Sequence, residues 1–245
     1  MEKVDINHLE TEKRNPKTMN LDHMNILEFL TVMNEEDALI ASAIKEVLPQ
    51  IEEAVTHIIE SLNNHGRLIY VGSGTSGRLG VLDAVECPPT FSTTDEVVGI
   101  IAGGSSAFVK AKEGSEDSFE GGIKDIEDIK VTSNDVVVGI AASGRTPHTL
   151  GALTIANEIG AYTISIACNK DSKVGKLAKT AIDIETGPEV ITGSTRLKAG
   201  TATKMVLNML STASMVGIGK TYSNLMVDLK PTNNKLVERS KHIIM

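Results

Sequence analysis

A chain of 245 residues, 41% of them hydrophobic, is long enough for one sizeable α/β domain with additions and a real core. Its formal net charge of −8 argues against nucleic acid or a membrane surface as partner, because both are anionic. Trp is absent and aromatic residues make up 3%, which excludes broad stacking platforms for bases or polysaccharides.

Residues 1–20 are polar and without period, and read as an arm. They contain no apolar h-region, and no apolar run in the chain approaches spanning length. The expectation is a soluble cytoplasmic protein. Residues 21–64 read as helices. Apolar residues recur at helical spacing in Ile26, Leu27, Leu30 and Met33, and again in Ile40, Ala43, Ile44 and Val47. Pro49 suits the first turn of a further helix with Ile51, Val55, Ile58, Ile59 and Leu62 on its inner face. Asn63-Asn64-His65-Gly66 is a stop signal.

From residue 67 the pattern alternates. Strands are predicted at 67–71, 97–102, 135–141, 161–167 and 181–185. Helices are predicted at 75–86, 105–112, 116–128, 147–159, 173–179 and 197–216. Near-continuous apolar strands such as Val136-Val137-Val138-Gly139-Ile140 imply a parallel sheet covered on both faces. The fold class is therefore α/β: a doubly wound, flavodoxin-like, five-stranded parallel sheet with an N-terminal helical segment. The predicted division is an arm and helices at 1–64, the main domain at 65–230 and a tail at 231–245. Ligands of such sheets lie beyond the carboxyl ends of the strands, where strand order reverses.

Those carboxyl ends are rich in glycine and hydroxyls. Gly72-Ser73-Gly74-Thr75-Ser76-Gly77 follows the first strand, and Ala102-Gly103-Gly104-Ser105-Ser106 the second. Ala142-Ser143-Gly144-Arg145-Thr146-Pro147 follows the third, and Thr192-Gly193-Ser194-Thr195-Arg196-Leu197-Lys198 precedes the long last helix. One such turn is often only a helix cap. Four on one rim point to an anion gripped by amides and hydroxyls. Residues 72–77 also satisfy G-x-G-x-x-G, but the second strand ends in Gly-Gly-Ser-Ser, without the acidic residue a dinucleotide ribose requires. A phosphate monoester fits the hydroxyls better.

Arg78, Arg145, Arg196 and Lys198 lie beside these turns. Arg78 and Lys198 read as solvated surface charges, and Arg196 as a ligand contact between a Gly-Ser-Thr turn and a helix start. Glu86 precedes Cys87-Pro88-Pro89, where the double proline is expected to end its helix. The residues support two readings of Glu86: a carboxylate beside apolar groups with a raised pKa, or an ordinary helix-end acid. Glu86 lies ten residues beyond Ser76, about 15 Å along a straight helix, so it reads either as reaching the far end of an extended substrate or as serving a neighbouring subunit's site. Glu113, Glu116 and Asp117 read first as first-turn acids of a helix capped by Ser115. The histidines are scattered without metal-ligand spacing, and His148 reads as partly exposed at a helix start. Cys87 and Cys168 lack C-x-x-C spacing and read as small buried hydrophobes.

The turns resemble the sugar isomerase (SIS) domain, a phosphosugar-binding α/β module. The runs TEKRNPKTMNLD, LIYVGSGTSGRLGVLDAVECPPTF, KEGSEDS, VVVGIAASGRTP and TGSTRLKAGTATKMVLNMLST resemble, in order, the N-acetylmuramic acid 6-phosphate etherase family. That resemblance makes 65–230 the SIS phosphosugar-binding domain. It implies cleavage of a lactyl ether to N-acetylglucosamine 6-phosphate and D-lactate, by elimination then water addition. Its two glutamates map onto Glu86, as acid toward the lactyl oxygen, and Glu116, as base at C2. The phosphate is expected on Ser73, Thr75, Ser76, Ser143, Gly144 and Thr146, with Arg196 beside them. No metal or organic cofactor is implied, and a homodimer is. Family members continue as a C-terminal helical domain, expected to be truncated or absent here, with 231–245 as its start. A phosphosugar sensor without catalysis and a sugar-phosphate isomerase are the alternatives on the same fold.

Overall fold

The computed structural model describes residues 9–110, 112–229 and 234–244. In chain order the elements are α1 (Ile26–Asp37), α2 (Ile40–Lys45), α3 (Leu48–Asn63), β1 (Leu68–Gly72), α4 (Gly74–Phe91), β2 (Val97–Ile101), α5 (Ser106–Val109) and α6 (Phe119–Asp128). Then come β3 (Val136–Ile140), α7 (Pro147–Ile159), β4 (Tyr162–Ala167), α8 (Lys173–Leu177), β5 (Thr180–Asp183), α9 (Lys198–Gly217), the small antiparallel pair β6 (Thr221–Tyr222) and β7 (Leu225–Met226), and α10 (Asn234–Ile244).

The main sheet is parallel throughout, in the order β2-β1-β3-β4-β5. β1 and β3 are neighbours, with Leu68 beside Val136 and Gly72 beside Ile140. Both strands are buried along their whole length, which is why their sequences are apolar without alternation. Their side chains still divide by face. Leu68, Tyr70, Val138 and Ile140 join the helices α3, α4 and α9 in one core. Ile69, Val71 and Val137 join α6 and α7 in the other. Strand order reverses between β1 and β3, so the turns that follow them lie side by side.

Several expectations are corrected. α4 does not stop before the double proline but runs through Pro88 and Pro89 to Phe91. Thr90 Oγ1 donates to the Glu86 carbonyl at 3.1 Å, and Cys87 and Phe91 are buried in the core, so packing holds this last turn. Ser92, left-handed at φ 53°, closes it. The cap of α6 is Ser118, which accepts from the Gly121 amide, not Ser115. Residues 115–117 form a separate 3₁₀ turn. Lys198 is not a surface charge but 1% exposed, and His148 is equally buried. The apolar stripe of α1 faces outward, with Ile26 80% and Leu27 74% exposed. The arm is not loose where it is described: Leu9, Thr11 and Asn15 are buried. Cys87 and Cys168 are free and buried, as expected, and burial pushes each thiol up to about 12.

Candidate active site

Three of the four hydroxyl turns meet at the carboxyl rim, around a cleft of about 160 Å³. The turn after β1 supplies Ser73, Gly74, Thr75 and Ser76. The turn after β3 supplies Ser143 and Thr146. Thr195, Gly200 and Thr203 come from the entry to α9, and Glu116 and Glu12 complete the lining. The second turn sends neither Ser105 nor Ser106 into this cleft.

The donors here are open. The first amides of a helix have no partner within it. In α4 the first amide taken is that of Gly77, which donates to the Ser73 carbonyl at 3.1 Å. Ser73 is the residue before the helix, yet its side chain caps nothing, and its buried hydroxyl oxygen has no protein partner. A buried hydroxyl without a partner costs free energy unless a ligand satisfies it. Amides at the start of an 18-residue helix and a ring of hydroxyls form a cradle for a phosphoryl group. Gly77 permits the tight turn, since a Cβ there would lie 2.5 Å from the Gly72 carbonyl oxygen. Gly144, at φ +71°, shapes the third turn without lining the cleft; a Cβ there would meet Ser172 at 2.4 Å.

The α9 wall is built from distant parts of the chain. Glu189, fully buried, accepts from the Lys198 and Ala199 amides at 2.9 and 3.0 Å and so caps α9. Lys198 Nζ lies 2.6 Å from Glu36 Oε2, and Asn15 Nδ2 donates to the same oxygen at 2.8 Å. Lys17 adds a contact of 3.0 Å on the other oxygen. Burial opposes ionisation of Glu36, but the hydrogen bonds from Lys198, Lys17 and Asn15 outweigh it and hold its carboxyl at about 2. Thr11 and Asn169 are hydrogen-bonded to each other, and the Gly193 amide donates to the Thr11 carbonyl. These ties carry Glu12 into the cleft.

The predicted residues are thus partly gathered. Ser73, Thr75, Ser76, Ser143, Thr146 and Glu116 line one cleft. Arg196 is exposed and outside it. Glu86 is exposed on α4 and lines a different hollow of about 640 Å³ with Lys204, Asn208 and Met226. Sequence reasoning missed Glu12, Gly200 and Thr203. For Glu12 the signal was the run TEKRNPKTMNLD, which carries the family resemblance but was otherwise read only as a polar arm.

Residues 50–157 match the family model described as glucokinase regulatory protein N-terminal SIS domain, and residues 118–213 match the SIS domain. An N-acetylmuramic acid 6-phosphate etherase of Oceanobacillus iheyensis is 61% identical over 98% of this chain and 82% of its own length. One of Halalkalibacterium halodurans is 60% identical over 98% and 81%. Among solved structures, a phosphoheptose isomerase of Neisseria gonorrhoeae superposes with a TM-score of 0.58 at 17% identity, over 77% of this chain and 98% of that one. One of Francisella tularensis gives 0.57 at 16%, over 81% and 100%. At that identity the likeness carries the fold alone. The identity shared with the etherases over nearly the whole chain carries more: the chain belongs to the N-acetylmuramic acid 6-phosphate etherase family, with a SIS fold as its body.

Proposed function

We propose that this protein cleaves the D-lactyl ether of N-acetylmuramic acid 6-phosphate with water, giving N-acetylglucosamine 6-phosphate and D-lactate. The observation that carries the reading is the unpartnered Ser73 hydroxyl at the head of α4, in a hydroxyl-lined cleft that also holds Glu116. The 6-phosphate anchors on Ser73, Thr75, Ser76, Ser143 and Thr146, and this remote grip positions the reacting carbons.

With the sugar open as its aldehyde, the C2 proton is acidic. Glu116 takes that proton as the C3–O bond breaks, and an acid protonates the departing lactyl oxygen. Water then adds across the double bond, its hydroxyl to C3 and its proton to C2. Two carboxyl groups in different settings suit these transfers.

Glu86 is the acid in this scheme, and it lies outside the cleft of its own chain. It is exposed and flanked by exposed Leu82 and Val85 on the same helix. Charged and apolar groups together on a free helix face fit an interface. A homodimer in which each Glu86 serves the partner's cleft reconciles its exposure with its role. A phosphorylated sugar as substrate fits a cytoplasmic setting, and among the described residues no helix is long and apolar enough to cross a membrane.

The test is enzymatic detection of D-lactate from N-acetylmuramic acid 6-phosphate. Release by the wild-type protein, lost in Ser73→Ala at low substrate and regained at high substrate, is expected. Calorimetric binding without any lactate after long incubation would leave only a sensor; interconversion of hexose phosphates lacking a lactyl group would make it an isomerase.

A further inference from the structure

A second cavity, of about 180 Å³, opens on the same carboxylate. It shares Ser73, Gly74 and Glu116 with the hydroxyl cleft, so the two adjoin and Glu116 lines both. Its lining differs from that of the cleft. Ile101, Ala102 and Ala107 give it an apolar floor, and two cations, Arg78 and Lys112, stand at its wall.

Both cations are held by carbonyls. Arg78 donates from Nε to Phe108 O at 2.9 Å and from Nη2 to Ala107 O at 2.8 Å. Lys112 Nζ donates to Gly103 O at 2.6 Å. Carbonyl oxygens orient a cation without neutralising its charge. Glu113 also lines this cavity, but among the described residues neither Arg78 nor Lys112 forms an ion pair. Glu116 lines it as well, but with neither carboxylate paired to them the two cations beside an apolar floor suit a small anion that carries a methyl group.

We propose that this annex is the subsite for the lactyl group, with its carboxylate on Lys112 and Arg78 and its methyl on Ile101, Ala102 and Ala107. The inference rests on the function proposed above. The substrate has two anionic groups. The phosphate belongs to the amides and hydroxyls at the head of α4, and the lactyl carboxylate is the one left. The acetamido group is neutral and gives two cations nothing to neutralise. Arg78 and Lys112 are thus specificity residues: they separate the lactyl sugar from the same sugar without it.

The experiment is calorimetric titration of Glu86→Gln protein, whose turnover is blocked, with N-acetylmuramic acid 6-phosphate and with N-acetylglucosamine 6-phosphate. Adding Lys112→Met, which keeps most of the apolar stem, is expected to weaken the lactyl sugar about tenfold and leave the other sugar unchanged. Lys112→Arg restores binding. Ser73→Ala weakens both sugars. If Lys112→Met weakens both sugars equally, or neither, the subsite is wrong while the hydroxyl cleft stands. If the parent protein binds neither sugar, the proposed function falls and the subsite with it.

Discussion

Glu36 holds its charge while 4% exposed because three donors converge on it. Removing one partner from such a pair leaves a buried charge uncompensated, which costs about 3–5 kcal/mol. Lys198→Met and Glu36→Leu are therefore each expected to lower the midpoint of denaturant unfolding strongly. The double variant recovers most of the loss. The pH dependence has a definite sign. The folded carboxyl sits at about 2, below its ordinary 4.5, so its contribution is full above 4.5 and fades as pH falls toward 2. Over that window the wild type loses on the order of 3 kcal/mol more than Glu36→Gln, read from urea midpoints at stepped pH. At the site, Glu116→Gln is expected to cut kcat by roughly 10²–10⁴ while phosphosugar binding persists; unchanged turnover removes it from the chemistry. The hydroxyls of Ser73, Thr75, Ser143 and Thr146 were legible in the sequence because strand, Gly/hydroxyl turn and helix form one local pattern. Lys198 was not, because the group that buries it is 162 residues away.

Elements were legible where punctuation is local. Pro147 opens α7, as the predicted helix 147–159 has it, and Gly160 at φ 94° closes it. Punctuation misled at Pro88 and Pro89, where burial of Cys87 and Phe91 overrides the missing donors. The same kind of tertiary cause explains His148. Gly122 and Gly151 let α6 approach α7 so closely that a Cβ on Gly122 would lie 1.9 Å from the His148 carbonyl oxygen, and one on Gly151 2.0 Å from the Phe119 carbonyl oxygen. That approach buries the imidazole, whose Nε2 lies 2.8 Å from Asp125 Oδ2. Nothing near His148 in sequence signals it. Gly122→Ala is expected to force the two backbones apart and to destabilise by more than the ~1–3 kcal/mol of ordinary overpacking. Thermal unfolding checks this; a change in Tm of less than a degree would show that the helices yield easily.

For the molecule as a whole, the apolar strand runs and their spacing specified a parallel α/β sheet, and the order β2-β1-β3-β4-β5 is the flavodoxin-like one expected. The residues read one by one gave no interface, and a homodimer came only from the family resemblance. An apolar stripe on α1 read as core faces outward, and Leu82 and Val85 flank Glu86 on the surface. Such faces suit the interface proposed above, and periodicity alone does not distinguish an inner face from an outer one. Val85→Asp is accordingly expected to shift sedimentation toward monomer and to abolish lactate release together; an active monomer would separate Glu86 from any partner. The most direct measurement mixes two inactive proteins, Glu86→Gln and Glu116→Gln, after exchange of subunits. If each Glu86 serves the neighbouring cleft, half the dimers are mixed and each has one intact site, so about a quarter of wild-type D-lactate release returns. No recovery in dimers shown to have exchanged would mean that both carboxylates act within one chain, contradicting this account of the site.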